Sequence, residues 1–190
     1  VHLRSIAFAG GGGDAGPSRT TLAAVGAWCS DLQSLSLDGC ISIDGCAITA
    51  LVDGGTARAT LSTVQHTSGS GAVLAGLGRP LPRLQCPDGP TRLCSTLTCL
   101  DISGCIAMSD SGLQALHNAG VRLHALHAND CRSISDHGTC CVVTESLMTL
   151  ELASRRRIGD QTLGCLAATR AALTALDMSS GHGDALPLSS

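Results

Sequence analysis

Asp101, His127, Glu151 and Asp177 are the residues of this chain whose types and spacing could do chemistry. They follow one another at intervals of 26, 24 and 26 residues. Carboxylates with an imidazole among them are groups that move protons or ligate metals. Eleven cysteines add thiol chemistry. Whether any of these groups meets another depends on the elements that hold them.

Those elements repeat. Leu97–Cys105 reads L-x-x-L-x-L-x-x-C, a short strand with apolar residues at alternate positions, closed by cysteine. Leu32–Cys40 matches fully. Leu123–Cys131, Leu147–Arg155 and Leu173–Gly181 follow the same frame, and Leu3–Gly11 and Leu61–Gly69 are degraded versions. A fixed period in the range of 20–50 residues signals a solenoid. The second half of the unit recurs too. Counting from the cysteine position, apolar residues fall at Met108, Ile134 and Ile158, and aspartates at Asp110, Asp136 and Asp160. The pairs Leu113/Leu116, Thr139/Val142 and Leu163/Leu166 have the spacing of one face of a short helix. Each Asp, preceded by Ser or Gly, suits the helix start, where it would accept backbone N–H bonds. Each unit is therefore strand, turn, short helix.

This pattern resembles the cysteine-containing subfamily of leucine-rich repeats, whose unit of about 26 residues carries Cys where most such repeats carry Asn, then I-[ST]-D-x-[GA]-L. The likeness is strong over Leu32–Leu51 and Leu97–Met178 and weak over 1–31 and 52–96. It implies an α/β fold: a leucine-rich-repeat solenoid of six to seven repeats, a curved horseshoe segment with parallel strands on the concave face and short helices on the convex face. The chain then divides into an irregular first repeat (1–31), a regular repeat (32–60), a degenerate repeat with a proline-rich insertion (61–96), regular repeats (97–181) and a tail (182–190). Neither end shows a polar cap, so the chain is expected to belong to a longer protein or to be covered by a neighbour.

Net charge is −3, and all 12 basic residues are arginine. An Arg-for-Lys bias of this kind fits a GC-rich coding genome. Scattered arginines on a slightly acidic chain argue against nucleic acid as the ligand. Arg155–Arg157 is the one basic run and reads as a solvated turn. No signal peptide and no membrane-spanning apolar run are expected. Cys40, Cys105 and Cys131 share one repeat position, and Cys29 and Cys94 share another. Repeat-locked cysteines point inward as small hydrophobes with a weak S–H donor, which suggests a reducing compartment. Of the adjacent Cys140 and Cys141, one is expected at the surface. With no CxxC pair, neither a zinc site nor a cofactor is expected. Gly10–Gly13 lacks the G-K-[ST] ending of a phosphate loop and reads as a turn. Trp28 is expected to help cover the interior.

On parallel strands the residues between the apolar positions share one exposed face. The central column there runs Ala7, Ser36, Gln65, Asp101, His127, Glu151, Asp177. The column before it runs Ser5, Ser34, Thr63, Cys99, Ala125, Thr149, Ala175. The column after it runs Ala9, Asp38, Thr67, Ser103, Asn129, Ala153, Ser179. Adjacent carboxylates at strand spacing repel, which favours a basic protein segment as partner. The candidate binding strip is Gln65, Asp101, His127, Asn129, Glu151 and Asp177, weighed against an ordinary solvated sheet face. Catalysis or metal binding by the strip is disfavoured, since parallel strands hold the groups in a line with no evident pocket, nucleophile or oxyanion donor. A second contact region is the insertion holding Arg79, Pro80, Pro82, Arg83, Pro87 and Pro90, which contains four of the six prolines and reads as a loop on one face of the solenoid.

The resemblance implies a non-catalytic scaffold or adaptor that binds other proteins and forms part of a large eukaryotic assembly, cytoskeletal or ciliary settings included, in the cytoplasm. The alternative is the substrate-recognition part of a ubiquitin ligase, whose F-box would lie upstream. A GTPase-activating repeat protein is more distant, because its units are longer and no arginine stands at a finger position on the strand face.

Overall fold

The structure is a computed structural model, and it describes residues 2–10, 16–54, 93–153, 159–169 and 171–179. Among these residues, six three-residue strands form one sheet: β1 (Ser5–Ala7), β2 (Ser34–Ser36), β3 (Cys99–Asp101), β4 (Ala125–His127), β5 (Thr149–Glu151) and β6 (Ala175–Asp177). Every pairing is parallel and the order is β1-β2-β3-β4-β5-β6, the sequential arrangement of a solenoid-like α/β fold. Parallel neighbours need crossover connections. These carry α1 (Arg19–Trp28), α2 (Gly45–Val52), α3 (Leu93–Thr96), α4 (Asp110–Asn118), α5 (Asp136–Val142) and α6 (Asp160–Thr169).

β2, β3, β4 and β5 each contribute a single buried inward side chain. Leu35, Leu100, Leu126 and Leu150 are fully buried, flanked on each strand by partly exposed residues. The apolar frame adds Leu32, Leu97, Leu123 and Leu147 before the strands and Leu37, Ile102, Ala128 and Leu152 after them, and the helices add Leu22, Ile48, Leu51, Leu113 and Leu116. Burying one such leucine contributes about 1.5–3 kcal/mol. Repetition in register makes the core one continuous column.

The turns after β2, β3 and β4 place a left-handed residue just before the cysteine. Gly39 and Gly104 take it with φ of 70°, and Asp130 takes it with φ of 58°. Glycine does so without a Cβ clash, and Asp tolerates it better than most residues. The cysteine that follows turns its thiol inward. Cys105 Sγ donates to the Leu37 carbonyl at 3.2 Å and Cys131 Sγ to the Ile102 carbonyl at 2.9 Å. Cys40 Sγ points to the Phe8 carbonyl at 3.7 Å. Each thiol thus reaches the preceding unit at the same place, forming the rungs of a ladder. Burial pushes the Cys105 thiol up to about 12.

Asp110 and Asp136 stand at helix starts and accept backbone N–H bonds, as expected, but from the next unit. They do not cap their own helices, because Ser109 and Ser135 hold the cap positions of α4 and α5. Asp110 instead accepts the Ser135 N–H at 2.7 Å and the Ser135 hydroxyl at 2.6 Å, one unit onward. Asp136 accepts the Gly159 N–H at 2.9 Å, the Thr162 N–H at 3.2 Å and the Thr162 hydroxyl. A carboxylate at the first helical position faces the unfilled N–H groups of the next helix, which is a better use of its charge than its own turn. Burial alone would raise the Asp136 carboxyl, but the Gly159 and Thr162 donors hold it below its ordinary value.

Three further expectations are corrected. β2 pairs directly with β3 (Leu35↔Leu100), so no strand from the degenerate unit lies between them. Trp28 is 52% exposed and does not cover the interior. Leu163, expected in the core with Leu113 and Thr139, is 45% exposed. Among the described residues no helix follows α6.

Candidate functional site

The exposed face of the sheet carries the strip read from the sequence. Register places Ser36 beside Asp101, Asp101 beside His127, His127 beside Glu151, and Glu151 beside Asp177. Main-chain bonds fix this spacing. The carbonyls of Asp101, His127, Glu151 and Asp177 accept the N–H groups of Leu37, Ile102, Ala128 and Leu152 at 2.7–2.9 Å. Neighbouring side chains therefore stand about 4.8 Å apart at their bases.

The side chains form a connected set rather than a row of repelling carboxylates. His127 Nδ1 lies 2.8 Å from Glu151 Oε2. Asn129 Nδ2 donates to the same oxygen at 3.3 Å, while Asn129 Oδ1 accepts the Ala153 N–H at 2.8 Å. Asp101 accepts the Ser36 hydroxyl at 3.2 Å and the Ser103 N–H at 3.0 Å. Asp177 accepts the Ser179 N–H at 2.9 Å. The expected mutual repulsion is thus relieved at its centre, where the imidazole separates Asp101 from Glu151. Only Glu151 and Asp177 remain as directly paired carboxylates.

The titration of these groups follows from the contacts. The hydrogen bond from His127 is the main cause that lowers the Glu151 carboxyl, with Asn129 adding to it; partial burial and Asp177 work in the opposite direction. The backbone N–H of Ser179 lowers the Asp177 carboxyl. Chemically the strip offers acceptor oxygens backed by fixed donors, an arrangement suited to charged or hydrogen-bonding groups laid across several strands.

Gln65 and the loop residues Arg79, Pro80, Pro82, Arg83, Pro87 and Pro90 lie outside the described residues. The direct β2–β3 pairing puts Ser36 beside Asp101. Cys40, Cys105 and Cys131 are buried as expected. Among the described residues, no group of three or more His, Cys, Asp and Glu could hold a metal ion. Among the same residues, no helix is long and apolar enough to cross a membrane.

Two features were not read from the sequence. Cys140 in α5 and Cys165 in α6 form a disulfide, with Cα atoms 5.8 Å apart. They stand at non-identical places in their units, so the repeat frame gave no signal of the pairing. A disulfide there is at odds with the reducing compartment expected from the thiol ladder. On the helical side, Thr49, Asp53, Ser111, Gln114 and Asn118 line a shallow cavity of about 390 Å³ between α2 and α4. The chain matches no protein-family model, and no curated protein matches it.

Proposed function

We propose that this chain is a cysteine-type leucine-rich-repeat segment that serves as a non-catalytic scaffold for binding another protein through the exposed face of its sheet. The observation that carries this reading is the in-register column Ser36–Asp101–His127–Glu151–Asp177 across five adjacent strands. Main-chain pairing fixes the spacing of these side chains and hydrogen bonds to neighbours hold Asp101, Glu151 and Asp177, so a ligand lying across them has less conformational entropy to remove on binding. The column carries three carboxylates and one imidazole. Its complement is an extended segment with arginine or lysine side chains. Arginine suits it best, because a guanidinium can span two acceptor oxygens on neighbouring strands.

The test is crosslinking of the full-length native protein, compared with an Asp101→Ala/Glu151→Ala/Asp177→Ala variant. Recovery of a defined partner through a basic segment, and its loss in the variant, supports the strip as the docking surface. Unchanged recovery makes the strip a solvated face and moves attention to residues 79–90. The partner's identity separates an assembly subunit from a ubiquitin-ligase adaptor.

A further inference from the structure

We propose that the Cys140–Cys165 disulfide is a redox-operated clamp. Closed, it holds α6 and β6 against the preceding units; reduced by a dithiol, it lets them open. The bond joins neighbouring helices of consecutive units, across a sequence separation of 25 residues. The buried thiols Cys40, Cys105 and Cys131 belong to a different system, since each donates to a carbonyl and none is paired with another cysteine.

The unit beyond the clamp is the one that needs it. In α6 only Thr162 and Leu166 are buried, and every residue of β6 is exposed, including the central Leu176 at 44%. The corresponding Leu126 of β4 is fully buried. The thiol ladder also stops here: where earlier units have Cys40, Cys105 and Cys131, this one has Arg155. The links left to this unit include β5–β6 pairing, the bonds from Asp136 to Gly159 and Thr162, and the disulfide. Local opening is drawn from regions of low burial such as this.

Both sulfurs lie on partly exposed helix positions, within reach of a small thiolate. A reductant thiolate attacks one sulfur, the Cys140–Cys165 bond breaks, and a mixed disulfide forms. The reductant's second thiol then displaces the protein sulfur and closes a cyclic disulfide. Two electrons pass to the protein, which ends with two thiols. A disulfide oxidant of the same class reverses the step. Cys141, next in the chain and unpaired with any cysteine, is an internal reference for access to the site.

The experiment uses the full chain, with peptide-level alkylation and hydrogen exchange before and after dithiothreitol. Without reductant, iodoacetamide is expected to label Cys141 but neither Cys140 nor Cys165; after reduction it labels all three. Amide protection over 159–179 should fall by on the order of 100-fold on reduction, while β3 and β4 keep theirs. A Cys140→Ser/Cys165→Ser variant should exchange like the reduced protein and ignore dithiothreitol. Labelling of Cys140 and Cys165 without reductant overturns the proposal. So does equal protection of 159–179 in the oxidised and reduced forms.

Discussion

His127 Nδ1 and Glu151 Oε2 meet at 2.8 Å on adjacent parallel strands, at positions directly paired in the sheet. The pair sits among acceptors, with Asp101 on one side and Asp177 on the other. It turns a line of carboxylates into a graded surface, satisfied at its centre and more open toward β6.

The first prediction concerns acid. Glu151 is lowered from its ordinary value of 4.5, chiefly by the hydrogen bond from His127. A carboxyl lowered by folding adds stability above its unfolded value, and that share is lost as pH falls through the folded value. NMR titration should place the Glu151 midpoint below 4.5 in the wild type, and higher in His127→Ala. A midpoint unmoved by the substitution would show that the imidazole does not set it.

The second separates two aspartates that look alike in the sequence. Asp136→Ala removes the acceptor for the Gly159 and Thr162 N–H groups and for the buried Thr162 hydroxyl. A loss of about 2–3 kcal/mol is expected in urea unfolding. Asp160 is exposed, with no described unit beyond it to bridge, so Asp160→Ala should change stability by less than about 0.5 kcal/mol. Equal effects would make both residues simple helix-start aspartates.

The third addresses the thiol ladder. Burial holds the Cys105 thiol at about 12, so almost no thiolate is available near neutral pH. In the native protein iodoacetamide should label the exposed Cys46 readily and leave Cys105 and Cys131 untouched until denaturant is added. Labelling of Cys105 at the rate of Cys46 would refute the ladder as a buried structure.

The fourth compares two leucines at the same strand position. Leu126→Ala in β4 empties a fully buried site and should cost about 2–5 kcal/mol. Leu176→Ala in β6 removes a side chain already 44% exposed and should cost less than about 1 kcal/mol. Equal losses in thermal or urea unfolding would mean that β6 is covered as fully as β4.

The alternation around Leu97–Cys105 and its copies, and the helical spacing of Leu113/Leu116, determined by themselves that units of strand, turn and helix would stack with their leucines inward. The exposed column from Asp101 to Asp177 was legible for the same reason: a period of two places every second residue on one face. What the tertiary structure decided were the relations between units. A one-unit pattern cannot say which strand lies beside which, and β2 turned out to neighbour β3 across the degenerate segment. Nor can it say whether a carboxylate bonds within its own turn or to the next. Asp110 and Asp136 bond onward because stacking brings unfilled N–H groups to them. His127 relieves Glu151, and Cys140 meets Cys165, for a related reason: distances between side chains of different units are set by the packing of whole elements, not by spacing along the chain.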